Sequence, residues 1–218
     1  MMKENTVKIF EQSFKDNWDR PCLTDYNTKE TITYADFARD IAKIHLFYKE
    51  IGIQEGDHVA IIGKNNPTWV TLFLATITYG AVIVPILQDF NPNDAQHIVN
   101  HSEAKLLFAS KSNWESLDFE NMRMVRAALS LDDRTLYEQK EEEVVADVLA
   151  SLEEKFAAAY PNGFTVDDVK YPEVPGDRLM DINYTSGTTG FSKGVMITGN
   201  NLCGNIVYGI NSGLCYNG

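Results

Sequence analysis

The apolar positions of this chain change period several times, and each change marks an element. In "VKIFEQSFKDN" (residues 7–17) they recur at helical spacing, and "TYADFARDIAKIHLFYKEIG" (33–52) carries the same period further. Thr33 with Asp36 three residues on predicts a capped start for that second helix, and Gly52 marks its end. Between the two, "CLTDY" and "ETITY" flank the polar "NTK" and predict a short hairpin. Three compact apolar runs follow, "DHVAIIG", "AVIVPIL" and "KLLFAS", with "MRMVRAALSL" as a fourth. The segments between the first three, "NPTWVTLFLATITYG" and "NPNDAQHIVNHSE", read as helices with Pro near the first turn.

Strands that are apolar throughout, rather than alternating, are buried on both faces. Their alternation with helices predicts an α/β fold, a mostly parallel sheet flanked by helices. Further on, residues 136–159 predict one surface helix, with Val145, Val148, Leu149, Leu152 and Phe156 as its apolar stripe. "YPNGFTVDDVKYPEVPGDR" (160–178) reads as a solvated connector, and its acids as part of that connector rather than a cation site. "LMDINY" and "GVMIT" read as two more strands, with a helix beginning near Asn200 or Asn201.

The charge narrows the picture. The chain has 19 basic and 31 acidic side chains, a net −12 over 218 residues. Residues 138–178 account for much of the excess, and the balance argues against a nucleic-acid surface. Cys22, Cys203 and Cys215 form no closely spaced pair and read as idle thiols. The charged N-terminus lacks the apolar core of a signal peptide, and no unbroken apolar run spans a bilayer, so the expected location is cytoplasmic. His97 and His101, four apart on a helix, read as surface residues rather than a metal pair, and Trp69 reads as core.

The chemistry concentrates between the last two strands, in "YTSGTTGFSKG" (184–194). Gly187, Gly190 and Gly194 allow backbone N–H groups to converge, Thr185, Ser186, Thr188 and Thr189 add hydroxyl donors, and Lys193 supplies a mobile cation. That combination suits a polyphosphate. The spacing is not that of a Walker loop, because Lys193 follows Ser192 and precedes Gly194, nor of a dinucleotide fingerprint running into a helix.

"YTSGTTGFSKGVMIT" resembles the phosphate-loop signature of the adenylate-forming superfamily of acyl-CoA synthetases, luciferases and peptide-synthetase adenylation domains. Segments "TITYADFARDIAKIHLFYKEIGIQEGDHVAIIGKNNPTWVTLFLATITYGAVIVPI" and "HIVNHSEAKLLFAS" are similar to the same family's N-terminal region, most of all to long-chain fatty acid CoA ligases. Ser192 stands where the family usually has Pro, and Gly199 where it often has His.

The resemblance implies two half-reactions: a carboxylate and ATP give acyl-AMP and pyrophosphate, and CoA then displaces AMP. It implies ATP, Mg²⁺ and CoA, with Thr185, Ser186, Gly187, Thr188, Thr189, Gly190 and Lys193 on the β- and γ-phosphates. It further implies that residues 1–218 are the incomplete N-terminal part of the large AMP-binding domain. Within it, 1–111 would be an α/β core, 112–178 a variable region with the acidic helix, and 179–218 the phosphate loop and its helix. Most of the acyl pocket, the catalytic lysine and the C-terminal domain are then expected outside this chain, which by itself is expected to be inactive. A fragment of an amino-acid-activating enzyme and a non-catalytic nucleotide-binding or assembly module stay open beside that reading. So do the acyl chain length, the oligomeric state and any membrane contact of the parent enzyme.

Overall fold

The computed structural model describes residues 5–185 and 193–212. Helix α1 (Thr6–Asp16) is followed by an antiparallel ribbon of β1 (Pro21–Thr24) and β2 (Thr31–Thr33), the expected hairpin. Helix α2 (Tyr34–Glu50) begins with the capping box read from the sequence: the Asp36 amide donates to Thr33 Oγ1 (3.1 Å) and the Thr33 amide donates to Asp36 Oδ2 (3.2 Å).

The strand–helix alternation then unfolds as β3 (His58–Ile62), α3 (Pro67–Tyr79), β4 (Val82–Ile86), α4 (Pro92–His101), β5 (Leu106–Ala109), the single turn α5 (Lys111–Trp114) and β6 (Ala127–Ser130). It closes with β7 (Leu136–Gln139), α6 (Val145–Ala159), β8 (Leu179–Thr185), β9 (Lys193–Thr198) and α7 (Gly199–Asn211). Asn66 and Asn91 cap α3 and α4, each followed by Pro at the first helical position, where a missing N–H costs nothing.

Seven strands form one sheet in the order β7-β6-β5-β3-β4-β8-β9, and the five inner strands run parallel. The antiparallel strands β7 and β9 form its two edges. Alternate residues of the parallel strands feed two cores. Val59, Ile61, Ile83, Leu106 and Phe108 pack with α2, α3 and α6 on one face. Ala60, Ile62, Val82, Val84, Ile86, Leu107 and Ala109 pack with Ile98 and Val99 of α4, and with Phe119 and Met122, on the other. Burial on both faces is why these runs read as continuously apolar.

Two expectations are corrected. Residues 136–159 are not one helix: Leu136–Gln139 pair with the open edge of β6, and α6 starts at Val145. Backbone groups on that edge need partners, which outweighs the helical preference of the Glu-rich run. Arg126 holds the turn, donating from Nε and Nη2 to both carboxylate oxygens of Glu143 at 2.7 and 2.6 Å. The expected stripe is otherwise in place, with Val145, Val148 and Phe156 buried and Leu149 and Leu152 packed against the same core. Nor is the 160–178 connector simply solvated. Val169, Tyr171 and Val174 are buried, and Asp168 caps a short 3₁₀ turn, accepting from the amide and hydroxyl of Thr165. These anchors lay the connector against the start of α1, where Lys8 Nζ donates to Tyr171 O and Asn5 Nδ2 to Val174 O, while Thr6 Oγ1 donates to Gly199 O at the start of α7.

Gly63, directly after β3, has φ +155°, and a Cβ there would lie 2.4 Å from Leu131 Cδ2 and 3.2 Å from Ser110 Cβ. Gly63→Ala is expected to lower stability by about 1–3 kcal/mol through overpacking and backbone strain, read as a shift of the urea midpoint at constant slope.

Candidate functional site

Strand β8 follows the connector and joins the sheet beside β4. Strand β8 lies parallel to β4, with Ile83 opposite Asp181, and so runs its C-terminal end in the same direction as those of β3 and β4. Ligands of open α/β sheets bind outside such ends. A trough of about 980 Å³ lies there, lined by Trp69 and Phe73 of α3, by Pro85, Leu87 and Phe90 at and beyond the end of β4, and by Asp181, Asn183 and Thr185 of β8. The Trp69 and Phe73 rings are stacked, 5.4 Å apart and 18° from parallel. Trp69, expected as core, thus packs against the core and also walls the trough.

Thr185 ends β8 and lies exposed at the trough. Lys193 begins β9, is exposed, and sits opposite Thr185 in the antiparallel register. The two ends of the candidate phosphate loop are therefore one rung apart, with a hydroxyl and a cation at its base. Lys193 makes no ion pair among the described residues. Ser186, Gly187, Thr188, Thr189 and Gly190 lie outside the described residues, as do Ser192 and Cys215.

Gly199 opens α7, where its amide donates to Arg178 O (3.0 Å), and a Cβ would come within 3.3 Å of Gly176 O. The absence of a side chain lets the connector lie directly on the first turn of α7, which gives a packing reason for a small residue at this position.

Sequence reasoning passed over Asp181. Its side chain is 3% exposed, Oδ2 accepts from Asn183 Nδ2 at 2.6 Å, and Oδ1 is buried with no partner among the described residues. Burial drives its carboxyl up from 3.8 to about 6, the Asn183 amide opposing the shift in part. The signal was present in "LMDINY": an acid among the apolar residues of a strand is a costly choice wherever that strand is buried, and calls for a reason. His97 and His101 bring their rings within 5.5 Å, and among the described residues no group of three or more His, Cys, Asp or Glu side chains is placed to hold a metal ion. Cys203 is buried and Cys22 half-buried, with burial raising the Cys22 thiol.

The model of one family, the AMP-binding enzymes, matches residues 10–214. The chain belongs to the AMP-binding enzyme family. Among its relatives, fatty acyl-CoA synthetase A of Dictyostelium discoideum is 31% identical over 156 residues, 70% of this chain and 22% of that protein. The 4-coumarate–CoA ligase CCL1 of Humulus lupulus is 29% identical over 183 residues, 83% of this chain and 30% of that one. Among solved structures, the anthranilate CoA ligase AuaEII in complex with anthranoyl-AMP aligns with a TM-score of 0.72 at 17% identity, over 95% of this chain and 36% of that one. The chain thus spans less than a third of each of the two relatives, and the shared fold is that of adenylate-forming enzymes, α/β with a mostly parallel sheet.

Asp181 makes stability depend on pH in a definite direction. Its folded-state value, about 6, exceeds the ordinary 3.8, so between those values the folded chain holds a proton that the unfolded chain has released. Its contribution is then largest below pH 4 and is lost as pH rises towards and through 6. Asp181→Asn should flatten this slope and raise stability at pH 7.5 by about 1–2 kcal/mol, discounted for water in the trough. Urea midpoints of both proteins at pH 5.0 and 7.5 measure it.

Proposed function

We propose that the protein containing this chain is an ATP-dependent acid–thiol ligase whose acid is a fatty acid. A carboxylate oxygen attacks the α-phosphorus of ATP, the bond to the bridging oxygen breaks, and pyrophosphate leaves with acyl-AMP remaining. The CoA thiolate then attacks the acyl carbon, forming the thioester and expelling AMP. One observation carries the reading: in a chain of the AMP-binding family, Thr185 of β8 lines the trough and Lys193 of β9 lies directly opposite it in the register.

The first half-reaction needs the departing pyrophosphate held and its charge offset while the carboxylate is aligned. This reading assigns that task to the Lys193 cation and the Thr185 hydroxyl beside it, with Ser186, Gly187, Thr188, Thr189 and Gly190 completing the grip. Mg²⁺ would further neutralise the phosphates. It binds largely through phosphate oxygens and water, and the Thr185 hydroxyl at the loop base would be an oxygen ligand available beside them.

The rest of the machinery, including the CoA site and most of the acyl pocket, is assigned in this reading to the remaining length of such ligases. The 218-residue chain alone is then a weak nucleotide binder without ligase activity. A cytoplasmic location and the absence of a nucleic-acid partner complete the proposal. No helix among the described residues is long and apolar enough to cross a membrane.

A second reading replaces the fatty acid by an aromatic one. The stacked Trp69 and Phe73 favour it, since flat rings pack well on such a wall, and two of the similar proteins carry 4-coumarate and anthranilate in their names. Pyrophosphate release by the full-length protein, assayed with ATP and either a long-chain fatty acid or a coumarate, separates the two. Release of phosphate without pyrophosphate with every acid would sink both.

Lys193→Ala in the full-length protein is expected to slow adenylation by one to two powers of ten, the equivalent of about 1.5–3 kcal/mol for one charge-assisted contact. The thioester step started from supplied acyl-AMP should be nearly unchanged, because pyrophosphate has already left. For the 218-residue chain, calorimetry is expected to give a Kd for MgATP of roughly a millimolar. Micromolar affinity, or pyrophosphate release by this chain with any acid, would show that it already holds a complete site.

A further inference from the structure

Tyr184 occupies the rung next to the Thr185–Lys193 pair, directly opposite Gly194. Its ring is buried, and its hydroxyl lies 2.7 Å from Nδ1 of His101, the last residue of α4. The two rings meet edge to face, 5.8 Å apart at 89°. Burial pushes the Tyr184 phenol above its ordinary value, so the hydroxyl keeps a proton that it can donate. With the phenol as donor, Nδ1 accepts and the ring proton sits on Nε2.

The opposite side of the tyrosine is equally confined. A Cβ at position 194 would lie 3.2 Å from Tyr184 Cζ and 2.8 Å from Ile182 Cγ2, so the backbone of β9 rests on the ring. The tyrosine is thus gripped between a helix and a strand. The helix end is itself fixed. Gln96 exchanges two hydrogen bonds with the backbone of Asp118, both at 3.0 Å. Asn100 donates to Asn121 O (2.9 Å) and accepts from the Arg123 amide (3.1 Å). These side chains stand one helical turn apart on α4 and tie it to residues 118–123.

We propose that His101 is a positioning residue for the phosphate end of the site. It holds the far end of the Tyr184 ring, and Tyr184, lying under Gly194, sets the separation of β8 and β9 at the rung from which Thr185 and Lys193 present their side chains. Packing alone restrains the ring sideways; the hydrogen bond to its para oxygen fixes how deeply it sits. The consequence for nucleotide binding rests on the reading of Thr185 and Lys193 as phosphate-gripping residues. The strut itself does not.

The 218-residue chain, labelled with ¹⁵N, tests both parts by NMR. His101→Leu removes the acceptor, Tyr184→Phe removes the donor, and His101→Asn returns an acceptor near the position of Nδ1. Both removals should move the Thr185 and Lys193 amide resonances in the same direction, and the double variant should move them no further than either alone. Each removal should also weaken MgATP binding by about three- to tenfold, the size expected for one neutral hydrogen bond. His101→Asn should recover most of both effects, and the wild-type imidazole should show an unprotonated Nδ1 and a protonated Nε2.

Unmoved Thr185 and Lys193 resonances in His101→Leu overturn the proposal, as do additive effects in the double variant or an Asn variant that behaves like Leu. If the wild-type chain binds no MgATP at tens of millimolar, the phosphate reading fails while the resonances still decide the strut. Should His101→Leu not fold, Tyr184→Phe, His101→Asn and the wild-type tautomer decide in its place.

Discussion

The pairing of β8 with β4 is the contact on which the arrangement of the site depends. Strands β3, β4 and β5 are assembled from neighbouring strand–helix units, but β8 arrives after the edge strand β7, helix α6 and a long connector. Only its parallel alignment beside β4 brings Thr185 to the strand ends where the trough opens. A parallel partner needs a crossover connection rather than a tight turn. The chain between β7 and β8 is therefore the link that sets which end of the sheet receives the β8–β9 hairpin. This gives a use to buried Val169, Tyr171 and Val174, which stop that link from drifting.

The same insertion places an ionisable side chain where an apolar one would be cheaper. Asp181 lies mid-strand with one oxygen held by Asn183 and the other unpartnered among the described residues, while its strand neighbours Met180 and Ile182 are apolar and buried. An orphaned buried acceptor costs about 1–3 kcal/mol. The inner sheet can absorb such a cost because β3, β4 and β5 are buried on both faces.

Much of this was legible in the chain. The capping box at Thr33, the Asn-Pro starts of α3 and α4 and the continuous apolar strands are local codes, and each is found as read. The loop signature gave Thr185 and Lys193, but not their cross-strand pairing, which depends on register. The edge strand β7 was hidden because residues 136–139 show helix-forming composition, which masks a short antiparallel hairpin with β6 that begins only a few residues earlier. Tyr184 and His101 were likewise illegible as a pair: 83 residues separate them, and neither position is unusual by itself. Asp181 is different. Its signal was local, and the strand around it was read for its apolar majority instead of its exception.

The fastening of the first helix has a bearing on how the chain matures. Asn5, Thr6 and Lys8 reach partners at Val174, Gly199 and Tyr171, across 169, 193 and 163 residues of sequence. Contacts of such separation form late, after shorter loops have closed. During synthesis α1 can therefore lay Phe14 against Tyr34 and Phe37 of α2 early, while its ties to Tyr171, Val174 and Gly199 must wait until those residues have left the ribosome. The helix is thus seated in two stages, a local one against α2 and a late one against the connector and α7.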